Sequence, residues 1–365
     1  MDLPDARADR FVGDEGGDAM SRLSASRYWG SLVGGLLFLA VLILLSPGMG
    51  TVQVGVVDAW RVLFDGRTDS VEYSIAFGQR LPRAFTALMA GVTLALCGAV
   101  FQTLFRNPLA TPYTLGIASG GSLGALIAFE AGWGGLVLGF SAVQLLAFAG
   151  ALGVVGLVFG LARSSLKLGS YTLLLAGVTI GFFCSAMMMF VTYLADVTET
   201  FRIVRWMMGS LDTVGMSAAP LWLVLLPCWL VLIWQARALG QFELGEEIAS
   251  SRGVHPARLQ LICILVASVA TAMVVSICGP IGFVGLIVPH IVRLLVGPDK
   301  RILLPASAMA GGAFLIVCDW MSWAIPRWYG TVAGRELTAA RLPIGVITAL
   351  IGAPLFLILL VRRIR

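Results

Sequence analysis

Few residues in this chain could do bond chemistry, and their spacing argues against it. There are two histidines, His255 and His290, and six cysteines, Cys97, Cys184, Cys228, Cys263, Cys278 and Cys318. A nucleophile needs a base within reach, and a metal needs clustered ligands. No metal-type spacing is present. All six cysteines fall within or at the ends of apolar runs, where buried structural thiols are the expected state. His290 stands alone in the run GFVGLIVPHIVRLLVG and reads as a hydrogen-bonded structural residue, not a metal or haem ligand. Pro289 beside it frees a backbone carbonyl and should kink that helix, giving His290 something nearby to bond. Glu130 and Asp319 are the acids nearest the apolar runs, and both fall near span ends. An ion-coupled carrier would place such groups at the midplane. Only Lys167 and Lys300 are lysines, and neither completes G-x-x-x-x-G-K-[ST]. If ATP drives this protein, another subunit must bind it. No catalytic residue, metal site or cofactor is assigned to this chain.

Arginines, in contrast, sit where a membrane protein should be poor in them. Hydrophobic residues make up 58% of the 365, charged residues 12%, and mean hydropathy is +0.92. A soluble domain carries about twice that charge, so the chain reads as an all-α polytopic membrane protein. Ten apolar runs approach or exceed the ~17–25 residues of a span. They are approximately 30–47, 83–104, 112–130, 138–162, 171–194, 218–236, 257–278, 281–297, 302–325 and 342–361. Residues 1–28 are polar and read as a disordered cytoplasmic tail, leaving 29–365 as the membrane domain. Loop arginines favour both termini inside. That leaves Arg80, Arg83, Arg202, Arg205, Arg335 and Arg341 outside. Asp196, Glu199, Asp212 and Glu336 share those loops, so local pairing and docking of a partner both stay open. The net charge of +5, with no basic tract, argues against nucleic acid.

Glycines such as Gly91 to Gly98 and Gly120 to Gly124 permit close helix approach. Arg80-Leu81-Pro82 and Arg341-Leu342-Pro343 each read as the opening of a span on the outer side. The stretch 239–260, LGQFELGEEIASSRGVHPARLQ, is a polar island between two spans. Glu243, Glu246 and Glu247 suit the start of a short helix, Gly253 a left-handed cap, and Pro256 the first turn of the next helix. The island is either an ordinary connection or a helical handle gripped by a soluble partner.

These pieces resemble a known family. Arg106-Asn107-Pro108-Leu109-Ala110, with Pro112 and Leu115-Gly116, looks like the first cytoplasmic loop of the iron-siderophore, haem and vitamin B12 permeases. The match recurs in Gln79–Arg83, Gly98–Gln102, Trp206–Ser210, Gly282–Arg293, Lys300–Pro305 and Leu342–Pro354, covering the chain from about residue 30 onward. Those permeases are the membrane subunits of type II ABC importers. The resemblance implies their fold of about ten transmembrane helices and a second permease subunit, with which the chain would form a homodimer. It also implies two separate ATPases that bind ATP and Mg, a periplasmic binding protein, and a place in the bacterial inner membrane. By the same resemblance Leu244, Gly245, Glu246, Ala249 and Gly253 would couple to the ATPase. Arg80 and Arg83 occupy the family's outer basic motif and would dock the binding protein, and Ser170 and Tyr171 would lie at the inner gate. Arg205 and Arg341, read from their charge on the outer side and not from the resemblance, would help in that docking. Arg106, Asn107, Pro108, Pro289 and His290 would be structural. Arg252, Arg341, Trp323 and a last outer loop lengthened over roughly 326–339 depart from the family pattern. The cargo implied is an iron chelate, a ferric siderophore or haem. Cobalamin or molybdate in the same architecture is the first rival, and an ATP-independent transporter or channel the second.

Overall fold

Apolar length decides most of this fold. The computed structural model describes residues 25–364 apart from 51, 53, 134, 138, 164–169, 213–218 and 335–340. Most of the expected N-terminal tail, 1–24, lies outside the described residues. In chain order the helices are α1 (Ala25–Leu45), α2 (Val56–Phe64), α3 (Val71–Tyr73), α4 (Leu81–Leu104), α5 (Ile117–Glu130), α6 (Ala142–Arg163), α7 (Ser170–Leu194) and α8 (Val197–Met207). There follow α9 (Ala219–Trp234), α10 (Ala236–Leu244), α11 (Glu246–Ser251), α12 (Pro256–Cys278), α13 (Val284–Val296), α14 (Lys300–Ala333) and α15 (Ile344–Ile364). A two-residue hairpin, β1 (Leu136–Val137) with β2 (Phe140–Ser141), precedes α6.

Every one of the ten apolar runs coincides in its main part with one of these helices. Among the described residues six helices are long and apolar enough to cross a bilayer, α9 and α10 make a seventh when the bent pair is taken as one span, and α5, α13 and α15 are shorter apolar segments. The 13 residues of α13 reach only about 20 Å, so it is a partial span.

Two boundaries differ from expectation. Pro82 does not open a helix, because the chain is already helical from Val71 and passes through a wide π-helical stretch, Ser74–Arg80. Leu81 N–H there donates to Ala76 O, five residues back, and this loosened turn leads straight into Pro82. Of the residues expected to lengthen the last outer loop, 326–333 instead continue α14 to Ala333, where Gly334 at φ +63 ends it, and 335–339 lie outside the described residues.

Small residues set the packing at the centre. Gly91 of α4 meets Gly311 of α14 backbone to backbone, and Gly98 meets Gly285 of α13 in the same way. A Cβ at either α4 position would collide with a carbonyl oxygen. Helices α4, α12 and α14 therefore carry the buried core, with α13 wedged against them. Pro289 removes the amide that would bond Gly285 O, four residues back. Gln102 Nε2 fills that place, donating to Leu286 O at 3.0 Å and to Gly285 O at 3.4 Å. So Pro289 is accommodated by a side chain from α4. His290 is half-buried and also has an interaction of its own.

Candidate functional site

Two polar ends remain once the apolar faces are packed. The first is built where α4 begins and α14 passes by. Arg83 Nε donates to Asp319 Oδ1 at 2.7 Å, and Arg83 Nη1 pairs with Asp212 Oδ1. Ser210 Oγ donates to Asp212 Oδ2 at 2.7 Å, and Arg341 Nη1 lies 4.0 Å from Asp212 Oδ1. Burial works against ionisation of Asp212, but Arg83, Ser210 and Arg341 together hold its carboxyl below the ordinary value. The backbone beside them is knitted from three separate segments. Ser210 N–H donates to Cys278 O at 2.7 Å, Ile344 N–H to Gly209 O and Gly345 N–H to Met208 O. Gly209 (φ +72) and Gly279 (φ +68) make this possible, since a Cβ on either would press on the carbonyl of a neighbouring segment. A cleft of about 320 Å³ opens there, lined by Arg83, Arg205, Asp212 and Arg341 among others.

This geometry revises the picture of the outer arginines. Arg80 is buried and donates to Pro47 O at 2.8 Å and to Val52 O at 2.6 Å, so it fastens the segment after α1. Arg83 is equally buried against Asp212 and Asp319. Neither presents a free guanidinium, because desolvating one requires acceptors and the chain supplies them internally. Arg202 pairs with Glu199 at 3.0 Å. Arg205 and Arg341 are the exposed members of the expected docking set. Arg335 and Glu336 lie outside the described residues.

The second end carries the polar island. Helix α10 turns 47° away from α9 at Gln235, which sends it off the line of the span. Its apolar face (Ala236, Leu239 and Phe242) is buried. Gly245 follows with φ +142 and ψ 148, a conformation open essentially to glycine alone. Short α11 then carries Glu246 and Glu247 in its first turn, favourable to its dipole. Only Ala249 of α11 is buried, while Leu244 and Ile248 are 58% and 42% exposed. Gly253 takes φ +81 and Pro256 opens α12, as the residue types predict.

Glu243 does not begin a helix. It sits in the last turn of α10, where the dipole disfavours an acid, and is held instead by Lys300 and Arg293. Arg106 (φ +48) donates Nη2 to Phe242 O at 2.8 Å and lies 5.1 Å from the Phe242 ring centroid. Asn107 Oδ1 accepts from Leu109 N–H at 2.9 Å, a turn that leads through Pro108. Ser170 is the first residue of α7, and the side chains of Ser170 and Tyr171 lie outside the described residues.

Sequence reasoning missed the ionic contacts of Glu243 and Lys300, 57 positions apart. Their one visible trace was a lysine in a chain whose basic residues are nearly all arginine. Among the described residues no cluster of His, Cys, Asp and Glu could hold a metal ion.

The FecCD transport family model matches residues 38–362. An uncharacterized ABC transporter permease protein, YvrB of Bacillus subtilis, is 35% identical over 94% of this chain and 96% of its own length. The vitamin B12 import system permease protein BtuC of Yersinia enterocolitica is 40% identical over 78% of this chain and 80% of its own. BtuC of Shigella boydii is 36% identical over 90% and 94%. A solved structure described as an inward-facing conformation of a metal-chelate type ABC transporter covers 91% of this chain and 98% of its own. It aligns with a TM-score of 0.77 at 31% identity. Ten apolar segments in this order, with a glycine-hinged helix at one end and an arginine cluster at the other, thus have a family: the chain belongs to the FecCD transport family and is a multi-pass permease of the ABC importer type.

Proposed function

We propose that this chain is the permease subunit of an ATP-driven importer for a metal chelate, working as a homodimer in the inner membrane with both termini in the cytoplasm. The observation that carries the coupling half is the exposed lever at Gly245. Leu244, Gly245, Glu246, Ala249 and Gly253 shape a short helix held clear of the spans, with Leu244 and Ile248 presented to a partner. An apolar face on a rigid, charged helix suits a groove on a soluble ATPase, which binds ATP and Mg. At the opposite end Arg205 and Arg341 face a periplasmic binding protein, with Arg80 and Arg83 behind them as the framework. Ser170 and Tyr171 stay the proposed inner gate. The chain performs no bond chemistry.

The cargo reading rests on the metal-chelate transporter of like fold. A ferric siderophore or haem belongs to this class. So does cobalamin, which is favoured by relatives named for vitamin B12 import at 36–40% identity. The deciding experiment places the permease in nanodiscs with its ATPase and screens purified binding proteins, each loaded with one chelate. Stimulated ATP turnover with a ferric-chelate binding protein supports the iron reading. Stimulation only by the cobalamin-loaded protein replaces it with the second. An ATPase that never associates with this chain would overturn both.

A further inference from the structure

The last turn of α10 ends on a carboxylate that reaches two other helices. Glu243 Oε2 lies 2.8 Å from Lys300 Nζ, at the start of α14. Its Oε1 accepts from Arg293 Nη1 at 3.4 Å, near the end of α13. The Lys300 side chain is only 1% exposed, so without Glu243 it would be a buried cation without an ion-pair partner. Among the described residues no other side chain of α10 or α11 forms an ion pair with the spans. The rest of the attachment is of another kind: the buried apolar face of α10, and Arg106 bonded to the Phe242 carbonyl.

The two helices that Glu243 holds are the ones whose displacement would matter. α13 is a partial span wedged by Gly285 against Gly98. α14 runs unbroken from Lys300 to Ala333 and on its way pairs Asp319 with Arg83 at the opposite end of the molecule. Packed helices of this kind shift as rigid bodies, so a load applied at one terminus is felt along the length. The apolar face of α10 makes non-directional contacts, whereas a carboxylate shared between two cations fixes position and direction.

We propose that Glu243 is a positioning residue that carries movement of α11 into α13 and α14, a reading that rests on the coupling role proposed above. Removing its charge should leave α10 seated by Arg106 and its apolar face, and the ATPase still bound to α11. What should fail is communication between the two ends.

The test uses the full transporter in nanodiscs, with the binding protein that stimulates the wild type. In Glu243→Gln the ATPase should co-purify in full amount and basal hydrolysis stay within about twofold, while stimulation falls to less than about a third. Glu243→Asp, which keeps the charge, should recover at least half of it. Unchanged stimulation in Glu243→Gln would overturn the proposal. So would loss of the ATPase from the complex, which would make Glu243 part of the docking surface. Should Glu243→Gln fail to assemble in the membrane, Arg293→Gln decides. It spares the Lys300 contact, and full stimulation there would overturn the link to α13. A wild-type permease that no ATPase joins would instead defeat the coupling reading itself, an outcome visible before any variant is made.

Discussion

Arg83 Nε and Asp319 Oδ1 meet at 2.7 Å across 236 positions of sequence, each side chain only 10% exposed. The pair lies eight residues along either helix from the Gly91–Gly311 contact, in opposite chain directions. One antiparallel register therefore satisfies both the close backbone approach and the ion pair. Replacing Arg83 leaves Asp319 charged and buried without its partner, which costs ~3–5 kcal/mol, whereas replacing both Arg83 and Asp319 by apolar residues of similar size removes the desolvation cost of the pair. Arg83→Met should strongly lower the melting temperature in detergent, Asp319→Leu should lower it less because Asp212 still pairs with Arg83, and the double variant should recover much of the loss. A double variant as unstable as the sum of the singles would rule out this pairing as the cause.

Gly98 gives a sharper test of packing. A side chain there would enter the carbonyl of Gly285, while Gly153 on α6 faces open space. Gly98→Leu should cost about 3 kcal/mol or more through overpacking and leave little folded permease, and Gly153→Leu should fold like wild type. Fluorescence size-exclusion profiles of the two variants compare them directly, and indistinguishable profiles would contradict the arrangement of α4 and α13.

Element existence was legible and direction of polar side chains was not. Hydrophobic length marks a span whatever it packs against, so each of the ten runs holds its helix. The glycine and proline of the island likewise act through local backbone rules, and Gly253 and Pro256 fall where those rules put them. Arg80 and Arg83 had to be read from the positive-inside rule, which reports charge in a loop and says nothing of where a guanidinium points. Their acceptors come from Pro47, Val52, Asp212 and Asp319, all remote in sequence. The extension of α14 was hidden by Pro326, a residue that usually argues for a loop; the helix carries it, with Trp328, Tyr329 and Val332 exposed beyond.

Acid should weaken the arginine cluster. Asp212 titrates below its ordinary value in the folded chain, so its contribution is fully present above the unfolded carboxylate pKa of about 3.9. That contribution is lost as pH falls through the lower folded value. The melting difference between wild type and Asp212→Asn should therefore be largest near neutrality and shrink below about pH 4. A difference that does not change between pH 7 and pH 3 would show that the Asp212 carboxylate charge contributes nothing to it.

Docking at this end should follow exposure. Reversing Arg205 and Arg341 to Glu should weaken binding-protein affinity by about tenfold or more and flatten its salt dependence, since charges at a rim act on encounter and register. Arg80→Glu should instead lower the yield of folded permease, because its two carbonyl acceptors belong to the chain itself. Affinity measured on nanodisc-held transporter across a salt series separates the cases. Retained affinity in the Arg205 and Arg341 reversals, with the same salt slope as wild type, would mean the cleft is not where the binding protein sits.

The lever itself turns on Gly245. At φ +142 and ψ 148 an alanine would be strained by ~1–3 kcal/mol, and the cheapest relief is to rotate α11 relative to α10. The Cβ it adds would meet only the Ile248 side chain, at 3.7 Å, so the effect comes from backbone conformation and not from a clash. Gly240, five residues earlier and within α10, makes a matched control: a Cβ there would rest 3.8 Å from Lys300 Cγ, an ordinary contact. Gly245→Ala should leave the melting temperature of the permease within a few degrees of wild type, because α11 buries little beyond Ala249. Its affinity for the ATPase should fall by about tenfold, the equivalent of ~1.4 kcal/mol lost in presenting Leu244 and Ile248 at the wrong angle. Gly240→Ala should match wild type in both. Should Gly245→Ala bind and stimulate the ATPase normally, the orientation of α11 would not be what the partner reads, and the exposed Leu244 and Ile248 would need another explanation.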